Sequence, residues 1–288
     1  MVIGGRQFDT GSRCHIAGIL NLTPDSFSDG GKWDAPEKAV RRADEMIREG
    51  ADLIDVGGES TRPGFTPVTD GEEIGRTAPV IEALRSRFDV PLSIDTYKSA
   101  VAAAAIAAGA DMVNDVRGFK HGPGMAKVVA EAGVACCLMH GRADAVFRNF
   151  MPDLLDDLRE SASIAEKVGV ARDRIMLDPG IGFGKTYEMN LIAIDSIDLI
   201  LELGYPVMLG VSRKSVIGTA LGLPVGERVE GSIAAAVVGV LRGCSFLRVH
   251  DVKETRRAVT MAETIINSGR ISAPMEANRR GAGCDGQH

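Results

Sequence analysis

The sequence predicts an α/β protein built as a single (β/α)8 TIM barrel, on three observations. Short apolar runs alternate eight times with longer amphipathic ones, the grammar of a parallel sheet with helical crossovers. Glycine closes one helical run after another, where a left-handed C-cap is wanted. The chain has 288 residues, 45% hydrophobic and only 5% aromatic. Eight βα units take about 250 residues, and aliphatic-rich strands suit a sheet covered on both faces.

Taken in order, the expected strands are His15–Leu20, Leu53–Val56, Leu92–Ile94, Met112–Val113, Ala135–Met139, Ile175–Leu177, Val207–Val211 and Phe246–Val249. Helices are expected near Ala35–Glu49, Asp70–Arg87, Lys98–Ala108, Pro123–Ala132, Asp153–Val168, Tyr187–Leu203, Glu227–Leu241 and Asp251–Asn267. Gly50, Gly109, Gly133, Gly169, Gly204 and Gly243 stand after helical runs. Pro36 and Pro123 stand near helix starts, where a missing N–H costs little. Residues 1–268 are therefore read as one barrel domain. Residues 269–288, rich in Gly, Arg and Asn, are read as a mobile tail.

Composition narrows the function. The net charge is -6 and the pI about 5.5, which argues against nucleic-acid binding and against an anionic membrane surface. No apolar run approaches the roughly 18 residues of a membrane helix, and the first fourteen residues lack the apolar core of a signal peptide. Five cysteines without a CxxC pair fit a reducing cytoplasm better than a disulfide framework. Cys136 and Cys137 read as small buried strand residues.

Sites in this fold lie at the carboxyl ends of the strands, and here those ends are polar: Asn21; Asp55 and Glu59; Asp95; Asn114 and Asp115; His140; Asp178; Ser212, Arg213 and Lys214; Arg248, His250 and Asp251. Asp115 and Asp251 serve equally well as loop or helix caps. Arg213, Lys214, Arg248 and His250 gather positive charge late in an acidic chain, which fits an anionic ligand. There is no HExxH and no Cys/His cage, so a permanent transition-metal site is not expected. Magnesium, which arrives with phosphates and takes few protein oxygens, could use Asn21, whose other reading is a loop cap. Gly180–Lys185 is glycine-rich but lacks the Walker spacing.

Several of these stretches together resemble a family. Asn21–Gly31 (NLTPDSFSDGG) and Gly57–Gly64 (GGESTRPG) are similar to the first two barrel loops of dihydropteroate synthases. Ser93–Thr96, Val113–Val116, Asp178–Phe183, Ser212–Lys214 and Arg248–Asp251 resemble the remaining motifs, in the same order. The likeness spans about Cys14 to Ile266, and seven motifs in order, each at a strand end, are specific together where one tetrapeptide would not be.

The resemblance implies an enzyme that joins 6-hydroxymethyl-7,8-dihydropterin diphosphate to p-aminobenzoate, with Mg2+ as cofactor, small molecules as substrates and a homodimer as the assembly. It implies that Asp178 accepts the donor pair of the pterin ring, that Asn114 reads its mixed edge, and that Lys214 donates to the ring carbonyl and nitrogen. Met139 and the Arg248 stem would sandwich the ring. The diphosphate would lie near Asn21, Arg62, Arg248 and His250, with magnesium on Asn21. Asp95 would face the methylene as it turns cationic; a carboxylate at 4 Å is worth about 4 kcal/mol at an effective dielectric of 20. Thr61 and Arg62 would contact substrate from the second loop. The p-aminobenzoate ring would rest by Phe183 and Lys214, with Phe27 and Pro63 closing over it and Ser212 near its carboxylate. Asp95, Lys214, Arg248 and His250 are thus the implied catalytic residues. The first two loops are expected to close over a loaded site. The stretch Gly141–Phe147 departs from the family's pattern at the rim.

Two other readings share the pterin floor. A pterin-dependent methyltransferase would have no use for Arg62 or for Ser212-Arg213-Lys214. A non-catalytic pterin binder would not need intact early loops. The apolar stretch Ile233–Leu241 is a candidate pairing surface, or simply a helix buried on its own barrel.

Overall fold

A computed structural model describes residues 1–22, 35–59 and 66–271 of the chain. Eight parallel strands form the barrel: β1 His15–Asn21, β2 Leu53–Gly57, β3 Leu92–Asp95, β4 Met112–Asp115, β5 Ala135–Met139, β6 Ile175–Asp178, β7 Met208–Leu209 and β8 Phe246–Val249. Their order is β6-β5-β4-β3-β2-β1-β8-β7. The ring closes between β6 and β7 through a Leu177–Val207 bridge, with the Leu177 N–H donating to the Pro206 carbonyl at 2.9 Å. The helices are α1 Ala35–Glu49, α2 Asp70–Arg85, α3 Ser99–Ala107, α4 Gly124–Ala132, α5 Phe150–Lys167, α6 Tyr187–Asp195, α7 Ile197–Leu201, α8 Ser215–Leu221, α9 Val229–Leu241 and α10 Val252–Ile271.

The period of two along each strand separates two cores. Ile54, Val56, Ile94, Val113, Leu138 and Leu177 face outward and are buried against the helices. Ala17, Leu53, Met112, Cys137, Met176 and Phe246 face the barrel axis. Met1, Ile3 and Phe8 join that inner cluster, brought there by a short antiparallel ribbon, Val2–Ile3 with Arg6–Gln7. The amino-terminal end of the barrel is thus filled with hydrocarbon, and polar groups are confined to the other end.

The expected glycine caps hold: Gly50, Gly109, Gly133, Gly169, Gly204 and Gly243 all take positive φ. Several bounds differ. The expected helix Tyr187–Leu203 is two, broken at Ser196, whose φ of -108° and ψ of 29° leave the helical region. Helix α8 and the amino-terminal ribbon were not expected, and β7 is two residues where five were expected. The expectations for Thr61, Arg62, Phe27, Pro63, the closing of the first two loops and the far end of the tail lie outside the described residues.

Candidate active site

Alternation places the next inward residues, one step beyond the inner apolar layer, at the carboxyl mouth. They are Asp55, Asp95, Asn114, Met139, Asp178 and Arg248, one from each of six strands. All but Arg248 are buried. The Arg248 guanidinium bridges two of them: Nε donates to Asp55 Oδ2 at 2.5 Å and Nη2 to Asp95 Oδ2 at 2.6 Å. Asn114 Nδ2 donates to the same Asp55 oxygen at 3.2 Å. Asp55 Oδ1 and Asp95 Oδ1 are buried with no hydrogen-bond partner among the described residues. A buried acceptor of that kind costs free energy until a donor reaches it, so this layer is built to receive a ligand.

On the other side of the mouth, Asp178 Oδ1 accepts from the Gly180 N–H at 2.6 Å. Lys214 Nζ donates to the Ile181 carbonyl at 2.5 Å and sits 4.9 Å from the centre of the Phe183 ring. Gly210 is the junction: a methyl there would touch Asp178 Oδ2 and Lys214 Nζ at 3.7 Å and Arg248 Cβ at 3.9 Å. Asp178, Lys214, Phe183 and Arg248 therefore share one wall. Ser212 and His250 form a further pair at the rim, the His250 N–H donating to Ser212 Oγ at 3.1 Å with Nδ1 3.0 Å from the same oxygen.

Electrostatics match the geometry. Burial pushes the Asp95 carboxyl up to about 7, and Arg248 pulls against it. Burial also raises Asp178, opposed chiefly by Lys214 and the Gly180 N–H. Burial brings Lys214 down to about 8, with Asp178 opposing. Arg248 is raised, because two carboxylates outweigh its desolvation. Groups displaced toward neutral pH from both sides, in one cleft, mark a reactive centre.

Asn21, at the end of β1, pairs in register with Gly57. Gly57 leaves room there: a side chain would meet Asn21 Oδ1 at 3.4 Å and Asp95 at 3.8 Å. An amide oxygen beside a carboxylate is a hard donor set that suits a magnesium ion carrying most of its ligands with it. Among the described residues no three acidic, His or Cys groups are arranged to hold a metal ion by themselves.

Most of the expected site residues converge. Arg213 is the exception within its motif. Its guanidinium forms a bidentate pair with Asp251 at 3.0 and 2.5 Å, and its backbone takes a left-handed φ of 58°. It braces the turn that presents Lys214. Asp115 holds the Arg117 and Phe119 N–H groups at 2.8 and 2.9 Å and serves its loop. Asp55 is polar at its strand end, yet neither the motifs nor the resemblance gives it a place in the site. The available signal was its place between outward-facing Ile54 and Val56, which requires it to face the axis.

A buried cation–carboxylate layer at the carboxyl mouth of a (β/α)8 barrel defines an enzyme that binds a polar, charged small molecule. Residues 17–250 match the family model described as "Pterin binding enzyme", and the chain belongs to that family. It is 55% identical to the dihydropteroate synthase of Clostridium beijerinckii over 92% of this chain and 99% of that one. Among solved structures, it superposes with a TM-score of 0.88 on dihydropteroate synthase from Clostridium difficile in the presence of pteroic acid, at 44% identity, covering 90% of this chain and 99% of that one. It superposes with a TM-score of 0.87 on the Xanthomonas albilineans dihydropteroate synthase with 4-aminobenzoic acid, at 42% identity and 92% and 97% coverage.

Proposed function

We propose that this chain is a dihydropteroate synthase: it joins 6-hydroxymethyl-7,8-dihydropterin diphosphate to p-aminobenzoate, giving 7,8-dihydropteroate and diphosphate. What supports the reading is one mouth in which Asp178 and Lys214, suited to a heterocycle's edge, adjoin the Arg248 side chain across Gly210. The pterin-dependent methyltransferase reading has no use for Lys214 in that place.

The chemistry asks two things of the protein. The pterin must be held by its edges: the Asp178 carboxylate accepts the ring's donor pair, the Asn114 amide meets the mixed edge and Lys214 donates to the ring carbonyl and nitrogen, the hydrogen bonds to the two charged groups being worth about 1.5–3 kcal/mol each. The exocyclic C–O bond must then break, its electrons leaving on the diphosphate. Arg248 and His250, with Arg62 from the second loop, take up that negative charge. Magnesium held with Asn21 would supply Lewis-acid stabilisation of the same leaving group. The methylene carbon becomes electron-poor, and Asp95 stabilises it. Arg248 occupies Asp95 Oδ2, so Oδ1 is the oxygen left for this work. The amine lone pair of p-aminobenzoate closes the C–N bond and the nitrogen releases a proton. The ring of p-aminobenzoate rests against Phe183 and the Lys214 stem, with Thr61 and Ser212 as further contacts, and Met139 lies under the pterin with the Arg248 stem.

Mass-spectrometric detection of 7,8-dihydropteroate from the purified protein, both substrates and magnesium tests the assignment; no product under any of these conditions refutes it.

We further propose a homodimer. Helices α6, α8 and α9 pack on one another and carry the exposed apolar residues Leu191, Leu221, Val238 and Leu241. An apolar surface gathered on adjoining helices is a mark of association. The cytoplasmic reading is supported by Cys14, Cys136, Cys137 and Cys244, which are buried free thiols. No helix among the described residues is long and apolar enough to cross a membrane.

A further inference from the structure

We infer that Lys185 is a positioning residue for the second substrate: its ammonium fixes the 179–184 loop in the arrangement that sets Phe183 and the Ile181 carbonyl against Lys214. The inference rests on the functional reading above for what Phe183 and Lys214 do.

The loop needs such a clamp. Gly180, Gly182 and Gly184 all take left-handed φ, 68°, 85° and 56°. Three such glycines in five residues leave the free chain many conformations to lose. Close packing accounts for two of them. A side chain at Gly180 would strike the His140 carbonyl, and one at Gly184 the backbone of Arg142, so the loop lies flat on the turn after β5. Lys185 then ties it down. Nζ donates to the Gly180 carbonyl at 2.9 Å, to the Phe183 carbonyl at 3.0 Å and lies 2.8 Å from His140 Nδ1. An ammonium has three N–H donors and no acceptor, so when Lys185 is protonated all three are used and His140 Nδ1 accepts. Nε2 of His140 then carries the proton and donates to Asp157 Oδ2 at 3.0 Å. Arg142 Nε holds the same Asp157 oxygen at 2.7 Å. The chain Arg142–Asp157–His140–Lys185 thus runs from the rim into the loop.

The opposite edge of that loop meets Lys214, through the Ile181 carbonyl at 2.5 Å and the Phe183 ring at 4.9 Å. Gly182 N–H, held by Asn190 Oδ1 at 2.6 Å, fixes its middle. Lys185 has no carboxylate within ion-pair reach among the described residues. Its ammonium serves carbonyls and an imidazole, which is the chemistry of positioning a backbone. Burial brings this amine down to about 7, with Asp178 opposing.

Lys185→Met keeps the unbranched apolar stem and removes the donors. The test is hydrogen exchange at the Gly182 and Phe183 amides together with steady-state kinetics. We expect exchange at both amides to accelerate while the strand amides are unchanged. We also expect KM for p-aminobenzoate to rise about tenfold or more, the scale of a lost charged hydrogen bond, with the Kd for pterin diphosphate within about threefold of the parent. Unchanged exchange and KM in the folded variant overturn the inference, and so does an equal loss for both substrates. If Lys185→Met does not fold, Lys185→Gln, which keeps an amide donor, is measured in its place against the same criteria. Should the unmodified protein make no product, the functional reading falls, and the exchange data alone still decide whether Lys185 holds the loop.

Discussion

Arg248 on the last strand and Asp95 on the third are joined across the barrel mouth, Nη2 to Oδ2, at 2.6 Å. The same guanidinium also holds Asp55, so one cation offsets two carboxylates in a layer that is otherwise buried. Removing one side of a buried charge pair costs about 3–5 kcal/mol. Arg248→Met should therefore lower the unfolding free energy by about that much at pH 8. The sign of the pH dependence follows from Asp95, whose folded-state pKa is already raised, to about 7, above its unfolded value. Its protonated form is the one the fold favours, so its contribution is present at low pH and lost as pH rises through the folded value. Without Arg248 that value moves higher still. Urea unfolding should show the variant much nearer to the parent at pH 5 than at pH 8; an equal deficit at both would contradict this account.

Activity should respond to the same two groups. Asp95 must be ionised to face a cationic methylene, and Lys214, brought down to about 8, must be protonated to donate. The pH profile of kcat/KM for pterin diphosphate should be a narrow bell, falling below about 7 as Asp95 takes up a proton and above about 8 as Lys214 loses one. In Lys214→Ala the alkaline limb should disappear along with most of the pterin affinity; an alkaline limb persisting near 8 would show that another group causes it.

Much of this was legible in the sequence, for a physical reason. A parallel strand covered on both faces must place apolar residues at every outward position, so Ile54 and Val56, or Ile94, announce their strands. The polar residues that break those runs announce the mouth. What escaped were features without a period. The Val2–Ile3 ribbon is too short to show one, yet it brings Met1, Ile3 and Phe8 to plug the barrel floor. Helix α8 spans seven residues and includes Gly218. Asp55 precedes its strand end by two residues, and its role appears only when Arg248 arrives from β8. Lys185 stood in a glycine-rich stretch that invited comparison with phosphate loops, while its three acceptors come from two different βα loops.

The magnesium reading turns on Asn21. Asn21→Ala removes the amide oxygen beside Gly57 and Asp95, and the magnesium concentration giving half-maximal rate should rise by about tenfold, a loss of roughly 1.4 kcal/mol. The fold should be unaffected, since this half-buried position contributes little to either core. A magnesium titration superimposable on that of the parent would remove Asn21 from the metal's ligands.

The assembly prediction is structural. Leu221→Glu combined with Leu241→Glu places charge on the exposed apolar helices without touching the mouth. Sedimentation velocity should show a dimer for the parent and a monomer for the double variant; a dimer retained in the variant would move the interface elsewhere.

Diphosphate release puts the central claim to the most direct test: that one mouth both reads the pterin and expels its leaving group. With pterin diphosphate, p-aminobenzoate and magnesium together, the protein should release one diphosphate per dihydropteroate formed. Asp178→Asn should reduce kcat/KM for the pterin by about tenfold or more, the scale of a lost charged hydrogen bond. Absence of release from the unmodified protein, or full activity in both Asp178→Asn and Lys214→Ala, would contradict the account.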